Sequence, residues 1–173
     1  MKHVFTNEKA VEAWFDRVTK CDAKDPQLDV YSAKKRIMAE GHTLYSYGRH
    51  FAMAMWYPEE QVFLLNTTSR RSSSTNKHQS YVRRNAPERS IEVGAQIDLD
   101  PRISAHMFLQ RWDHLIRHDL EKSKRARKHY AFWLGQAGKS IRNRNLFTKT
   151  FNIKAPELPE DVTAALVTLK LAA

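Results

Sequence analysis

HTLYSYGRHFAMAMWYPEEQVFLLN, residues 42–66, is rich in aromatic, Leu and Val side chains and is broken twice, at Gly48 and at Pro58–Gln61. Apolar runs of this length between turn residues predict strands near 43–47, 50–57 and 61–66, joined as an antiparallel meander. Ala and Met in the middle run are weak strand formers. The turn residues on either side carry that assignment.

Upstream, the pattern is helical. Thr6 can cap a helix whose apolar positions Val11, Trp14, Phe15 and Val18 recur at i, i+3, i+4 and i+7. Asp22–Asp29 reads as a connection with Pro26 as its breaker, and a second helix is expected from about Tyr31 to Glu40, stopped by Gly41. Downstream, LLNTTSRRSSSTNKHQSYVRR (Leu64–Arg84) leaves the third strand and enters a polar stretch. Ser74 or Thr75 can cap a short helix over Asn76–Asn85, ended by Ala86 and Pro87. A fourth strand is expected near 90–98.

A long helix then runs over 102–134, with Ile103, Met107, Phe108, Trp112, Leu115, Ile116 and Leu120 as its apolar stripe and a break at Ser123 left open. Its segment KSKRARKH is almost wholly polar. Tyr130, Phe132, Trp133 and Leu134 are expected to resume the packing before a polar tail and a last helix over 159–171. The reading is a single α+β domain over 1–173: a small antiparallel sheet of three to four strands, helices on one face, and a long basic C-terminal helix.

The chain has 173 residues and one cysteine, Cys21, which excludes an intrachain disulfide and a thiolate metal cluster. No apolar run approaches the ~18 residues of a membrane span, and MKHVFTNEKA lacks the apolar segment of a signal peptide. A cytoplasmic location, with no membrane partner, is the expectation. No Walker loop, GxGxxG or GxSxG occurs, so no cofactor is expected. His114 and His118 stand at i, i+4 beside Asp119, but the sequence is HLIRH rather than HExxH, and no metal site is assigned.

Net charge is +10, and its distribution matters more than its sum. Residues 1–40 are nearly neutral, whereas 67–90 hold six Lys/Arg against one acid and 102–150 hold twelve against three. Clustered cations point to a polyanion. In the second block, Lys122, Lys124, Arg125, Arg127 and Lys128 crowd two turns, with Arg142 and Arg144 further on. Like charges at that spacing repel by a few tenths of a kcal/mol per pair, a cost that phosphates would offset. In the first block Arg70, Arg71, Lys77, Arg83 and Arg84 surround the helix start at Ser74 and Thr75, where hydroxyls and free N–H groups can hold an anion. Arg49 lies on the neighbouring strand. Tyr45, Tyr47, Trp56, Tyr57 and Tyr81 could stack bases or pack in the core. His50 and His78, if they converge, could serve as base and acid in metal-independent RNA cleavage.

YSYGRHF (Tyr45–Phe51), Ala54, Asn66 and SSSTNKHQ (Ser72–Gln79) together resemble a family of small, functionally uncharacterised proteins of tailed bacteriophages, whose pattern is Tyr-Gly-x-His-Phe, an Asn at a strand end, then a Ser/Thr cluster running into His-Gln. The similarity covers about residues 40–85. It departs at Ser74-Thr75-Asn76-Lys77, where the family has consecutive threonines. The resemblance implies a phage origin and a shared local site at His50, Asn66, Thr75 and His78, and implies no activity.

The expected function is therefore a phage-encoded nucleic-acid-binding protein of the host cytoplasm, with RNA or single strands ahead of duplex DNA. Two alternatives stand beside it. One is a nuclease or phosphotransfer enzyme centred on His50 and His78. The other is a host-takeover protein that binds an acidic host protein or a ribonucleoprotein.

Overall fold

The computed structural model describes residues 4–22, 24–25, 29–32, 34–68, 72–94, 97, 100–158, 160 and 162–164. The chain divides into two compact units, Met1–Asp100 and Pro101–Ala173.

Among the described residues, the first unit holds a seven-stranded mixed sheet in linear order β1 to β7. Its strands are β1 (Val4–Phe5), β2 (Tyr31–Ser32), β3 (Ile37–Glu40), β4 (Thr43–Ser46), β5 (Ala52–Tyr57), β6 (Val62–Asn66) and β7 (Ser90–Val93). The central meander is antiparallel, as its turns dictate; the registers Ala39↔Leu44 and Trp56↔Phe63 place apolar residues opposite one another. The outer pairs, β1 with β2 and β6 with β7, are parallel. A parallel pair needs a crossover of a dozen or more residues. Helices α1 (Asn7–Val18) and α2 (Ser73–Asn85) supply those crossovers. The α+β class holds, but the sheet is larger than expected and not purely antiparallel, because short strands at both edges are recruited through these helices.

The expected helix over Tyr31–Glu40 is instead the hairpin β2–β3. Ile37 and Ala39 are buried while Met38 and Glu40 are not, the period of a strand rather than a helix. Lys35 takes a left-handed turn, φ +49°, and Ser32 Oγ accepts the Ile37 N–H at 3.0 Å to close it. Four ladder pairs with β4 outweigh the mild helix preference of Lys, Arg, Met and Ala.

The core of this unit sits between the sheet and the helices. Val11, Trp14 and Phe15 of α1 and Val82 of α2 pack with Ile37, Leu44, Met53, Trp56 and Phe63. Trp14, Phe15 and Phe63 meet edge to face at 4.9–5.9 Å, the favoured geometry for aromatic pairs.

The second unit is a helical hairpin: α3 (Ala105–Arg125), a 3-10 turn (Arg127–His129) and α4 (Tyr130–Thr150). The expected helix over 102–134 does break, at Ala126, φ −101° and ψ 79°, three residues beyond the break left open at Ser123, and the expected polar tail is the body of α4. The break falls within the run of like charges, where continuing a helix is least favourable. Folding back also buries an aromatic seam. Phe147 lies 5.5 Å from Phe108, 5.1 Å from Trp112 and 5.0 Å from Phe151. Most of the expected last helix over 159–171 lies outside the described residues. No described helix is long and apolar enough to cross a membrane.

Candidate functional site

Several of the polar residues singled out in the sequence meet around His78 near the start of α2. Ser72 is the N-cap, accepting the Thr75 N–H at 3.3 Å. Ser74 and Thr75, expected as caps, lie inside the first turn, because helical geometry already begins at Ser73. One turn further, His78 is 2% exposed. Its Nε2 lies 3.2 Å from the Asn7 amide nitrogen on α1, and its Nδ1 lies 2.8 Å from Ser46 Oγ at the end of β4. The Asn7 NH2 can only donate, so in this orientation Nε2 accepts and Nδ1 carries the proton that Ser46 accepts. That is a neutral imidazole. Burial pushes its pKa below the usual histidine value, and the cations Arg36 and Lys77 add to the effect. Tyr47 covers the ring at 5.3 Å, and Tyr81 stacks at 6.4 Å.

Asn66 and Gln79 are bonded inward as well. Gln79 Nε2 donates to the Asn66 carbonyl at 2.7 Å; Asn66 Nδ2 donates to the Ala52 carbonyl at 3.0 Å, and its Oδ1 accepts the Thr68 N–H at 3.0 Å. These bonds satisfy backbone groups where β6 ends, so the motif stitches α1, α2, β4 and β6 together. His50, by contrast, lies exposed on a 3-10 turn (Gly48–His50) entered through left-handed Tyr47 and Gly48, φ +55° and +76°. Among the described residues, no hydrogen bond or ring contact joins His50 to His78. Both ring nitrogens are hydrogen-bonded within the protein, and these bonds tie His78 to α1 and to the end of β4.

The hairpin tip presents the opposite situation. Lys122, Lys124, Arg125, Lys128 and His129 are all exposed. Glu121 is the sole acid in residues 121–132; its nearest approach to Arg125 is 3.9 Å between two well-exposed side chains. The α3 cations suit the negative end of that helix's dipole. Lys128 and His129 stand at the positive end of α4, which has no acidic residue in its first turn and no side-chain cap. Their charge works against the helix there. The rings expected to pack are also in solvent: Tyr130 is 43% and Phe132 56% exposed. Their sequence held a clue. Tyr130, Phe132, Trp133 and Leu134 span too much of a helix's circumference for one stripe to bury them all. Trp133 turns inward against His118 at 6.0 Å.

The other expected phosphate contacts divide. Arg142, Lys77 and Arg83 are exposed. Arg84 is exposed but pairs with Glu8 at 2.8 Å over the Tyr81 ring, and Arg49 pairs through two nitrogens with Glu40. Arg144, expected as a phosphate contact, is instead buried: it is 5% exposed, binds Asp113 at 2.8 Å and donates to the Pro156 carbonyl. It locks the hairpin, since an Arg on that face of α4 points into the seam. Arg70 and Arg71 lie outside the described residues, as does the side chain of Arg127. His114 and His118 stack at 6.4 Å, with His118 Nδ1 2.9 Å from Asp119 Oδ1; among the described residues, no three His, Cys, Asp or Glu side chains are grouped to hold a metal. Trp56 is buried, and Tyr45, Tyr57 and Tyr81 are half-buried.

Compared with family models, curated proteins and solved structures, this chain matches none of them.

Proposed function

We propose that this protein binds nucleic acid, and that the tip of the α3–α4 hairpin makes the phosphate contacts. One observation carries the reading. Lys122, Lys124, Arg125 and Lys128 are exposed within seven residues, and Glu121 is the sole acid in residues 121–132. Such a cluster repels itself, and a phosphate backbone both neutralises it and gains entropy through counterion release. Lys77 and Arg83 on α2 offer a lesser surface whose neighbouring cation, Arg84, is already paired. The proposed setting is the cytoplasm of a phage-infected cell, in keeping with the bacteriophage resemblance.

Fluorescence anisotropy of a labelled RNA oligonucleotide across a salt series tests the proposal. Four phosphate contacts on a single strand correspond to a log–log slope of about −3, or roughly fiftyfold weaker binding between about 50 and 200 mM salt. Affinity that stays flat over that range would sink the reading.

A further inference from the structure

We infer that Tyr130 and Phe132 stack unpaired bases, which makes the hairpin tip a single-strand site rather than a general phosphate clamp. The inference rests on the phosphate-binding reading of the same tip and adds the ligand's conformation to it. Tyr130 and Phe132, at 43% and 56% exposed, stand two residues apart in the first turn of α4. Each surrenders burial that a side chain of its size would normally contribute. Lone exposed apolar residues are ordinary; here two aromatic rings directly follow an exposed run of cations, and because i and i+2 point to different sides of a helix each ring can meet a different base while the cations hold the backbone. The cations also select the occupant, since an uncharged partner would leave them uncompensated. A duplex hides its base faces by stacking and offers these rings nothing. A single strand exposes them. Phe132 also touches Trp133, with ring centroids 5.1 Å apart. Trp133 is half-buried while Trp14, Trp56 and Trp112 are buried, so fluorescence quenching by a bound base reports on this tip.

The test uses the full chain and three oligomers with equal numbers of phosphates: a mixed-sequence RNA single strand, its abasic counterpart, and a duplex. The single strand is expected to bind at least ~10-fold more tightly than the abasic strand, and to quench Trp133. Phe132→Leu and Tyr130→Leu should each reduce that ratio by at least about fivefold while leaving the salt slope intact, because about 1–3 kcal/mol rides on each stacked base; a ratio unchanged in both variants overturns the inference. Both rings are exposed, so both variants should melt as the wild type does. Equal binding of abasic and base-bearing strands, with a steep salt dependence, overturns the stacking inference and leaves phosphate binding standing. Preferred binding of the duplex does the same. If none of the three oligomers binds at low salt, both readings fall. Ring-dependent binding to phosphatidylserine–phosphatidylcholine vesicles without oligomer binding also overturns both, in favour of a membrane surface. Equal binding of poly-glutamate and the RNA strand overturns both in favour of an acidic protein partner.

Discussion

The α2 start and the hairpin tip are both dense in polar side chains, and they meet opposite fates. Around His78, polar groups are buried and bonded to each other or to backbone: Asn7, Ser46, Asn66 and Gln79 leave little to offer a ligand. At the tip, Lys122, Lys124, Arg125 and Lys128 are in solvent with almost nothing to pair with. Burial with satisfied partners indicates architecture. Exposed charge without a nearby partner is free to meet an anion. The motif that looks most like an active site holds the sheet unit together, and the run that looks most like an ordinary solvated helix is the better binding candidate.

The largest effect should come from the seam that positions the tip. Phe147→Ala removes a fully buried ring touching three aromatics and should cost about 4 kcal/mol, read by thermal or urea unfolding of the hairpin unit. Next is His78→Ala, which leaves a cavity and orphans Asn7 and Ser46; about 2–3 kcal/mol is expected, with Ser46→Ala nearer 1. A His78→Ala protein of native stability would return His78 to a functional role and undo the contrast.

The same histidine sets a pH dependence. Its folded pKa is depressed, so the unfolded chain binds the extra proton first as pH falls. Its contribution to stability is therefore complete above the unfolded value of about 6.5 and is lost as pH drops through the lower folded pKa. Urea midpoints should fall between neutral pH and pH ~5, and by less in His78→Gln than in wild type. An equal fall in both would remove the titration from His78. The smallest stability effect belongs to the tip. Replacing Lys122, Lys124, Arg125 and Lys128 together by Gln should change stability by no more than about 0.5 kcal/mol, since exposed charges contribute little.

Local chemistry made much of this legible. Turn residues announced the meander, Thr6 announced α1, and a Ser-rich run announced α2 to within a few residues. What escaped depended on pairing and packing partners rather than on local preference. Ile37–Glu40 became a strand because β4 was there to pair with it, which no local preference of IMAE reveals. The parallel edges of the sheet required knowing where the crossovers land. The return of α4 onto α3 required knowing that Phe108 and Trp112 would find Phe147. At the candidate site, sequence named the cations and missed that Arg144 faces inward; it named His78 and missed that two hydrogen bonds occupy it. Charge is written in the sequence, whereas exposure is decided by packing.

The central claim is that phosphates bind at the tip and not around α2. It is tested most directly by the salt dependence of RNA binding in two variants: the tip variant just described, and one carrying Lys77→Gln and Arg83→Gln. The account predicts that the tip variant loses most of the affinity, its slope falling by about 3, while the α2 variant keeps a slope within about 1 of wild type. The reverse pattern, or equal losses in both, would contradict it.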